Sequence, residues 1–192
     1  MARNREFNSD DIIEKAIAVF WEKGFKHTSM EYLLENLGIG RGSFYNAYKS
    51  KHALYLMALD SYSSLMLEYL RKLLNHKPIK NALRALFEKL FDAAATDNKQ
   101  TGCLMANAAT ELASFDNEVQ KRVSAYYRNC VHCISLALSR SVNEGEIALN
   151  ESPDDVALFL VNAMDGLRVM ARRTDDKKQV NSVIKIALSI IE

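Results

Sequence analysis

The chain has 192 residues, of which 48% are hydrophobic and 26% charged, values that exclude a protein disordered throughout. It contains only 7 Gly and 2 Pro, and because the turns of sheet proteins depend on these residues, the composition favours long helices over many strands. No apolar run approaches the ~20 residues of a membrane span, and the N-terminus lacks a signal-type apolar core. Three cysteines are too few for a disulfide framework. We therefore expect a reduced, cytoplasmic protein without a membrane segment.

The N-terminal part of the chain begins with two predicted short helices. Apolar residues recur at helical spacing over residues 12–20, and Gly24 is expected to end this helix in the left-handed conformation. The next helix is expected to begin with a capping box, in which the Thr28 hydroxyl and the Glu31 carboxylate each bind the other residue's backbone N–H. Glycines at 38 and 40 then predict a turn.

Six longer helices are predicted after the first fifty residues. Apolar spacing, caps and breakers set their limits, and Pro78 is expected at the first helical position of its helix. Together with three short N-terminal helices this makes about nine helices and no strand, an all-α fold with a natural division near residue 50. The longer helices are expected over residues 51–74, 78–96, 103–113, 116–143, 153–173 and 177–191.

Residues 28–48 form two short helices joined by a turn that contains glycine, which is the helix-turn-helix arrangement. The second helix of such a motif enters the major groove, so its leading end must be small or polar, and Phe44 is expected to anchor its reverse face. Between Asn36 and Leu59 the chain carries three cations and no acid, which suits contact with phosphates. The candidate DNA-binding residues are Thr28, Ser29, Arg41, Gly42, Ser43, Tyr45, Asn46, Tyr48, Lys49 and Lys51.

Other interpretations of this segment remain open. A helical hairpin whose aromatic residues simply fill the core has the same spacing. A phosphate-binding glycine loop at Gly38, Gly40 and Gly42 is disfavoured because the last spacing of Gly-x-Gly-x-x-Gly is missing and no strand precedes it.

The chain resembles the TetR/AcrR family of bacterial transcriptional repressors in residues 25–30 and 37–54. The second of these segments contains, in this order, Leu-Gly-Ile-Gly, Ser-Phe-Tyr and Tyr-Lys-Ser-Lys. The resemblance is specific over residues 7–58 and rests mainly on helix count beyond them. It implies an all-α homodimer with an N-terminal helix-turn-helix DNA-binding domain, here residues 1–50, and a C-terminal ligand-binding and dimerisation domain, here residues 51–192. It further implies that Tyr45 and Lys51 bind phosphates. The base-reading region of the family corresponds here to Arg41, Gly42, Ser43 and Asn46.

Two C-terminal helices are apolar over more than one face. The helices 153–173 and 177–191 carry apolar residues around most of their circumference. A chain of this size cannot easily bury that much apolar surface by itself. We expect them to pair with their copies in a four-helix bundle of a homodimer. A buried hairpin within a monomer is the alternative.

Polar or reactive groups within apolar helices are the candidates for contact with a small, apolar or aromatic effector. One helical stripe contains Cys103, Asn107 and Glu111. In a branch of the family that the segment resembles, the cysteine at the position of Cys103 sometimes senses electrophiles or oxidants. The alternative is a buried structural thiol. The full set of candidates is Cys103, Asn107, Glu111, Tyr126, Tyr127, Phe159, Asn162 and Asp165.

Metal binding and catalysis receive little support from the sequence. Cys130 and Cys133 share a helix face, but His132 points away from them and no second ligand pair follows. The chain also contains no His-Glu-x-x-His, Gly-x-Ser-x-Gly or P-loop motif. We therefore expect a ligand-responsive repressor that binds a palindromic operator in double-stranded DNA. We expect it to have no catalytic residues, metal or cofactor. The alternatives are a non-specific DNA-binding protein and a small helical enzyme.

Overall fold

The computed structural model describes residues 9–96, 102–171 and 173–192, and over these ranges the chain is helical without a strand. The order of elements agrees with the all-α architecture expected from the sequence. The helices are α1 (Ser9–His27), α2 (Met30–Leu37), α3 (Arg41–Tyr48), α4 (Lys51–Leu74), α5 (Ile79–Thr96), α6 (Leu104–Glu111), α7 (Asn117–Asn143), α8 (Pro153–Ala171) and α9 (Lys177–Ala187), followed by a short 3-10 turn (Leu188–Ile190).

The three N-terminal helices form a small head that packs on the first half of α4. The apolar stripe of α1 is buried, and Phe20 from this stripe meets the ring of Tyr55 from α4 edge to face at 5.0 Å. Leu33 from α2 and Phe44 from α3 are completely buried beside them. Burial of one face of each short helix holds the head together, because helices of this length are not stable alone in water.

The start of α2 differs from the predicted capping box. Ser29 is the N-cap, and its hydroxyl oxygen accepts from the backbone N–H of Tyr32 at 3.1 Å. The Thr28 hydroxyl instead donates to the Gly24 carbonyl at 2.6 Å and is buried. The cap therefore lies one residue later than predicted.

The first helix does not end at Gly24, as the sequence predicted, but changes direction there. Gly24 has φ 75° and ψ 170°, and helical hydrogen bonding resumes up to His27. A positive φ is a backbone state that glycine adopts without the steric cost of a Cβ. The predicted breaker thus produces a kink within α1.

Helices α4 to α9 form the larger body. The long helix α7 lies against α4 on one side and α8 on the other, while α5 also packs on α8. Pro78 precedes α5 instead of occupying its first helical position, and its carbonyl accepts the backbone N–H groups of Asn81 and Ala82. Within the described ranges, none of the helices has the length and apolar character needed to cross a bilayer.

Candidate DNA-binding surface and internal cavity

The third helix exposes a polar face whose centre is built from small side chains. Phe44 and Tyr48 turn inward, and their burial fixes which face of α3 meets solvent. The residues on the exposed face are Arg41, Gly42, Ser43, Tyr45, Asn46, Ala47 and Lys49.

Small residues near the start of α3 leave room for close approach of another molecule. A Cβ added at Gly42 would have no atom within 4 Å. The N-cap residue, Gly40, has no side chain to occupy the free backbone N–H groups of the first helical turn, which are suited to bind an anion. The surface therefore combines free backbone donors with hydroxyl, amide and cationic side chains, as recognition of a phosphate backbone and base edges requires.

Two of the predicted DNA-binding residues do not belong to this surface. Tyr48 is only 7% exposed and packs against the Phe44 ring at 5.8 Å, so its ring is part of the core. Thr28 is completely buried and its hydroxyl is used within α1. Ser29, in contrast, is exposed at the N-terminus of α2.

The two lysines that follow α3 lie in different surroundings. The Lys49 ammonium is exposed and donates to the Asn46 carbonyl at 2.8 Å. The Lys51 ammonium donates to the carbonyls of Phe25 and Thr28, both at 2.8 Å, and lies 4.2 Å from the centre of the Phe25 ring. Burial lowers the pKa of Lys51, and nearby Glu111 partly offsets that shift. Lys51 thus joins α4 to the end of α1 as well as lying near the DNA-binding surface.

An internal cavity of about 490 Å³ lies in the body between α4, α5, α7 and α8. Its size falls in the range of small-molecule sites. Most of its wall is aromatic or aliphatic, including Tyr62, Tyr69, Tyr126 and Tyr127. Trp21, which belongs to α1 of the head, also lines it and meets Tyr62 edge to face at 5.1 Å.

Two cations contribute to the cavity wall. Lys89 is exposed, and its ammonium lies 4.2 Å from the centre of the Tyr69 ring. The Arg168 side chain is 16% exposed and forms an ion pair with Asp165 at 2.5 Å. Burial opposes the charge of Arg168, but nearby Cys103 and Asp165 raise its pKa above the ordinary value.

The residues predicted to contact an effector do not all line the same space. Tyr126 and Tyr127 line the cavity. Cys103, Asn107 and Asp165 line a separate groove of about 270 Å³ between α6 and α8, on the other side of Arg168.

Two predicted effector residues on α8 lie away from both spaces. Phe159 is 46% exposed, and the exposed Asn162 uses its amide on the Leu158 carbonyl of its own helix. Both side chains are exposed on α8 and neither contributes to the wall of the cavity, so their contact with an effector stays a prediction.

The position of Cys103 argues against a reactive thiol. Its side chain is 2% exposed, and its sulfur accepts a hydrogen bond from the Tyr62 hydroxyl at 3.6 Å. Reactive cysteines lie in partly exposed sites, whereas buried ones are inert. The structure therefore favours the structural alternative that the sequence left open.

Glu111, the third residue of the predicted stripe, serves the contact between body and head instead of the cavity. Its carboxylate accepts the backbone N–H of Phe25 at 3.0 Å and that of Lys26 at 2.7 Å. These N–H groups follow the kink at Gly24, where an added Cβ would lie 2.9 Å from the same carboxylate. Glu111 thus holds the end of α1 on α6.

Two more polar contacts hold the ends of the α6 region, one to α1 of the head and one to the start of α4. The Trp21 indole donates to the Gly102 carbonyl at 3.2 Å. His52 at the start of α4 pairs with Asp116, the N-cap of α7, at 2.6 Å. The segment between Gly102 and Asp116 is therefore fixed to α1 of the head at Gly102 and Glu111, and to the start of α4 at Asp116.

Sequence reasoning missed Trp21, Lys89 and Arg168 as parts of the cavity wall. One signal was present in α4, where Tyr62, Met66 and Tyr69 recur at helical spacing on the face that lines the cavity. No comparable signal identifies Trp21, because its approach to the body depends on how α1 packs against α6.

Several large apolar side chains on the outer faces of α8 and α9 are exposed. Contiguous apolar surface of this kind is typical of protein contact surfaces. The residues are Leu158, Phe159, Val169, Val183 and Ile186.

Comparison with known proteins matches both parts of the chain to one family. Residues 12–58 match the family model described as bacterial regulatory proteins, tetR family, and residues 80–187 match the model of the tetracyclin repressor-like C-terminal domain.

Individual relatives agree with these matches over nearly the whole chain. The uncharacterized HTH-type transcriptional regulator YezE of Bacillus subtilis is 28% identical over 100% of both chains. The HTH-type transcriptional repressor ComR of Escherichia coli is 23% identical over 88% of this chain and 82% of its own. Among solved structures, a cysteine mutant of the TetR-family regulator CifR, complexed with 26-base-pair operator DNA, superimposes with a TM-score of 0.84, 25% identity and 98% coverage of each chain.

Proposed function

Because the chain belongs to the TetR family of bacterial transcriptional regulators, we propose that it is a repressor that leaves a palindromic operator when a small molecule occupies the internal cavity. The observation that carries this proposal is the position of Trp21. This side chain belongs to the first helix of the DNA-binding head and also forms part of the wall of the cavity in the body. A molecule that enters the cavity therefore meets the head directly.

The exposed face of α3 is the proposed reading surface. Arg41, Gly42, Ser43 and Asn46 would approach base edges in the major groove. The phosphate contacts would come from Ser29, Tyr45, Lys49 and Lys51. The relatives support DNA binding by this chain, since one is named a repressor and another is solved on operator DNA.

A homodimer gives the two reading helices a fixed separation. We propose that the exposed apolar faces of α8 and α9 pair with those of a second copy, so that the two α3 helices reach half-sites about one DNA turn, ~34 Å, or a multiple of it apart. A small shift of one head then removes one half-site from reach.

The contacts of the α6 region would transmit occupancy of the cavity to the heads. Gly102 borders the cavity and binds Trp21, and Glu111 of the same region binds the end of α1. A ligand that displaces Trp21 or Gly102 would therefore move α1, and with it α2 and α3.

A gel-shift titration with DNA from just upstream of the protein's own reading frame, compared with random DNA, tests the proposal. The upstream fragment is expected to bind about 1,000-fold more tightly. Arg41→Ala should change the sequence preference, whereas Lys49→Ala should weaken both fragments alike. Equal affinity of the wild-type protein for both fragments would instead favour the non-specific DNA-binding alternative.

A further inference from the structure

The charges that line the internal cavity are all of one sign within the described part of the chain. Lys89 of α5 and Arg168 of α8 contribute to the wall, and no aspartate or glutamate among the described residues does so. The rest of the wall is apolar or aromatic. Such a space penalises a cationic guest and favours an anionic one.

Arg168 is the inner of the two cations and is held in its charged form. Its ion pair with Asp165 compensates part of the cost of burying the guanidinium. Asp165 lies in the wall of the separate groove and not in that of the cavity, whereas Arg168 borders both spaces. A guanidinium has five N–H donors, so the contact of one terminal nitrogen with Asp165 is compatible with a second acceptor on the cavity side.

Lys89 lies at the outer part of the wall. Its ammonium rests over the Tyr69 ring, where it provides a positive charge without closing off the space. Aromatic side chains from three different helices, Trp21, Tyr62 and Tyr126, surround the interior. Their edges and faces suit an aromatic ring.

We propose that the effector of this protein is an aromatic carboxylate, or a compound with an equivalent single anionic group, whose anion binds the Arg168 guanidinium while its ring occupies the aromatic part of the cavity. The inference rests on the proposed function only in taking this cavity as the effector site. It names the chemistry of the ligand, which neither the family models nor the relatives specify.

Trp21 allows a direct measurement of binding without DNA. It is the only tryptophan in the sequence and lines the cavity, so its fluorescence reports occupancy. Three probes of similar shape are titrated into the purified full-length protein: 4-phenylbutanoate, the neutral 4-phenylbutanamide and the cationic 4-phenylbutylamine. We expect the carboxylate to bind about 10- to 100-fold more tightly than the amide, as for a hydrogen bond to a charged group, and the amine to bind most weakly.

Charge-neutral variants locate the anion site. The double variant Arg168→Gln/Asp165→Asn removes both members of the ion pair, because removal of Arg168 alone would leave a carboxylate without its partner. This variant should lose most of the preference for the carboxylate over the amide and keep only the part that Lys89 supplies. Lys89→Gln should reduce the preference only in part. Lys15→Gln removes an exposed lysine of α1 that does not line the cavity, and it should retain the full preference.

Any of three results would overturn the inference: equal binding of carboxylate and amide to the wild-type protein, a preference that survives undiminished in the double variant, or no binding of the carboxylate at millimolar concentration. The wild-type comparison decides the matter even if the double variant does not fold, which circular dichroism will show. Failure here is distinct from failure of the proposed function. A protein that still prefers its upstream DNA and is released by a neutral ligand would remain a ligand-responsive repressor.

Discussion

Two tyrosines of the same helix have opposite surroundings. The Tyr45 side chain is 41% exposed, whereas Tyr48 is buried against Phe44. The aromatic ring alone therefore does not decide which of them meets DNA. The sequence predicted Phe44 on the reverse face of α3, and Tyr48, four residues later, shares that face. Placing Tyr48 on the DNA-binding surface did not follow from that spacing.

This difference gives a matched pair of hydroxyl deletions. Tyr45→Phe should weaken binding to specific and random DNA alike by about fivefold, the cost of about 1 kcal/mol for one hydrogen bond. Tyr48→Phe, three residues later, should leave the affinity unchanged. Fluorescence anisotropy with labelled DNA measures both; equal losses in the two variants would remove Tyr45 from the phosphate contacts.

The two lysines after α3 should separate binding from stability. Lys49→Met is expected to reduce the magnitude of the slope of log affinity against log salt concentration by about 1, without changing the melting temperature. Lys51→Met is expected to lower that slope too, and in addition to reduce the free energy of unfolding by about 1 kcal/mol, because two carbonyls at the end of α1 lose their donor. A Lys51→Met protein that melts like the wild type would contradict the structural role.

Among the helices, α6 is short but contacts both the head and the rest of the body. Its C-terminal residue Glu111 binds two backbone N–H groups of α1, and its N-cap residue Cys103 binds Tyr62 of α4. The sequence predicted the helix and its stripe of three polar residues. It did not predict that one of them faces the head, because that orientation depends on how α1 packs against α6.

Glu111→Ala should reduce the communication between cavity and DNA. DNA affinity is measured with and without saturating 4-phenylbutanoate, and the ratio of the two affinities is the coupling. We expect Glu111→Ala to bring this ratio closer to one, since the end of α1 no longer follows α6. The control is Thr110→Ala, whose lost hydroxyl binds carbonyls of its own helix. A purely structural role would lower the melting temperature of Glu111→Ala and leave the ratio as it is in the wild type.

Most helix limits were predictable because they depend on local signals. The predicted limits of α4 agree with the structure, and the apolar stripe over residues 12–20 predicted the buried face of α1. The cap of α2 was displaced by one residue because Thr28 and Ser29 are chemically similar and only tertiary packing buries Thr28. The cavity was not predictable in the same way, since its wall combines side chains from helices distant in the sequence.

At the level of the whole molecule, the outer faces of α8 and α9 should determine assembly. Ile186 is 67% exposed on α9, and a charge there would be buried twice in a twofold interface. We expect Ile186→Lys to convert a dimer into a monomer and to weaken binding to a full palindrome, while a single half-site is bound as before.

Phe115→Lys provides the control, because Phe115 is 84% exposed and lies outside α8 and α9. Sedimentation velocity gives the mass of each variant. The proposed interface would be wrong if Ile186→Lys stayed dimeric, or if Phe115→Lys dissociated the protein to the same extent.

The central claim is that two copies of α3 enter successive major grooves of one operator. Methylation protection on the upstream fragment tests this claim, because the reagent modifies the guanine N7 atom that faces the major groove. The account predicts two protected patches on one face of the duplex, about one turn, ~34 Å, or a multiple of it apart, both lost with Arg41→Ala. Protection spread evenly along the fragment, or its absence under conditions of full binding, would contradict it.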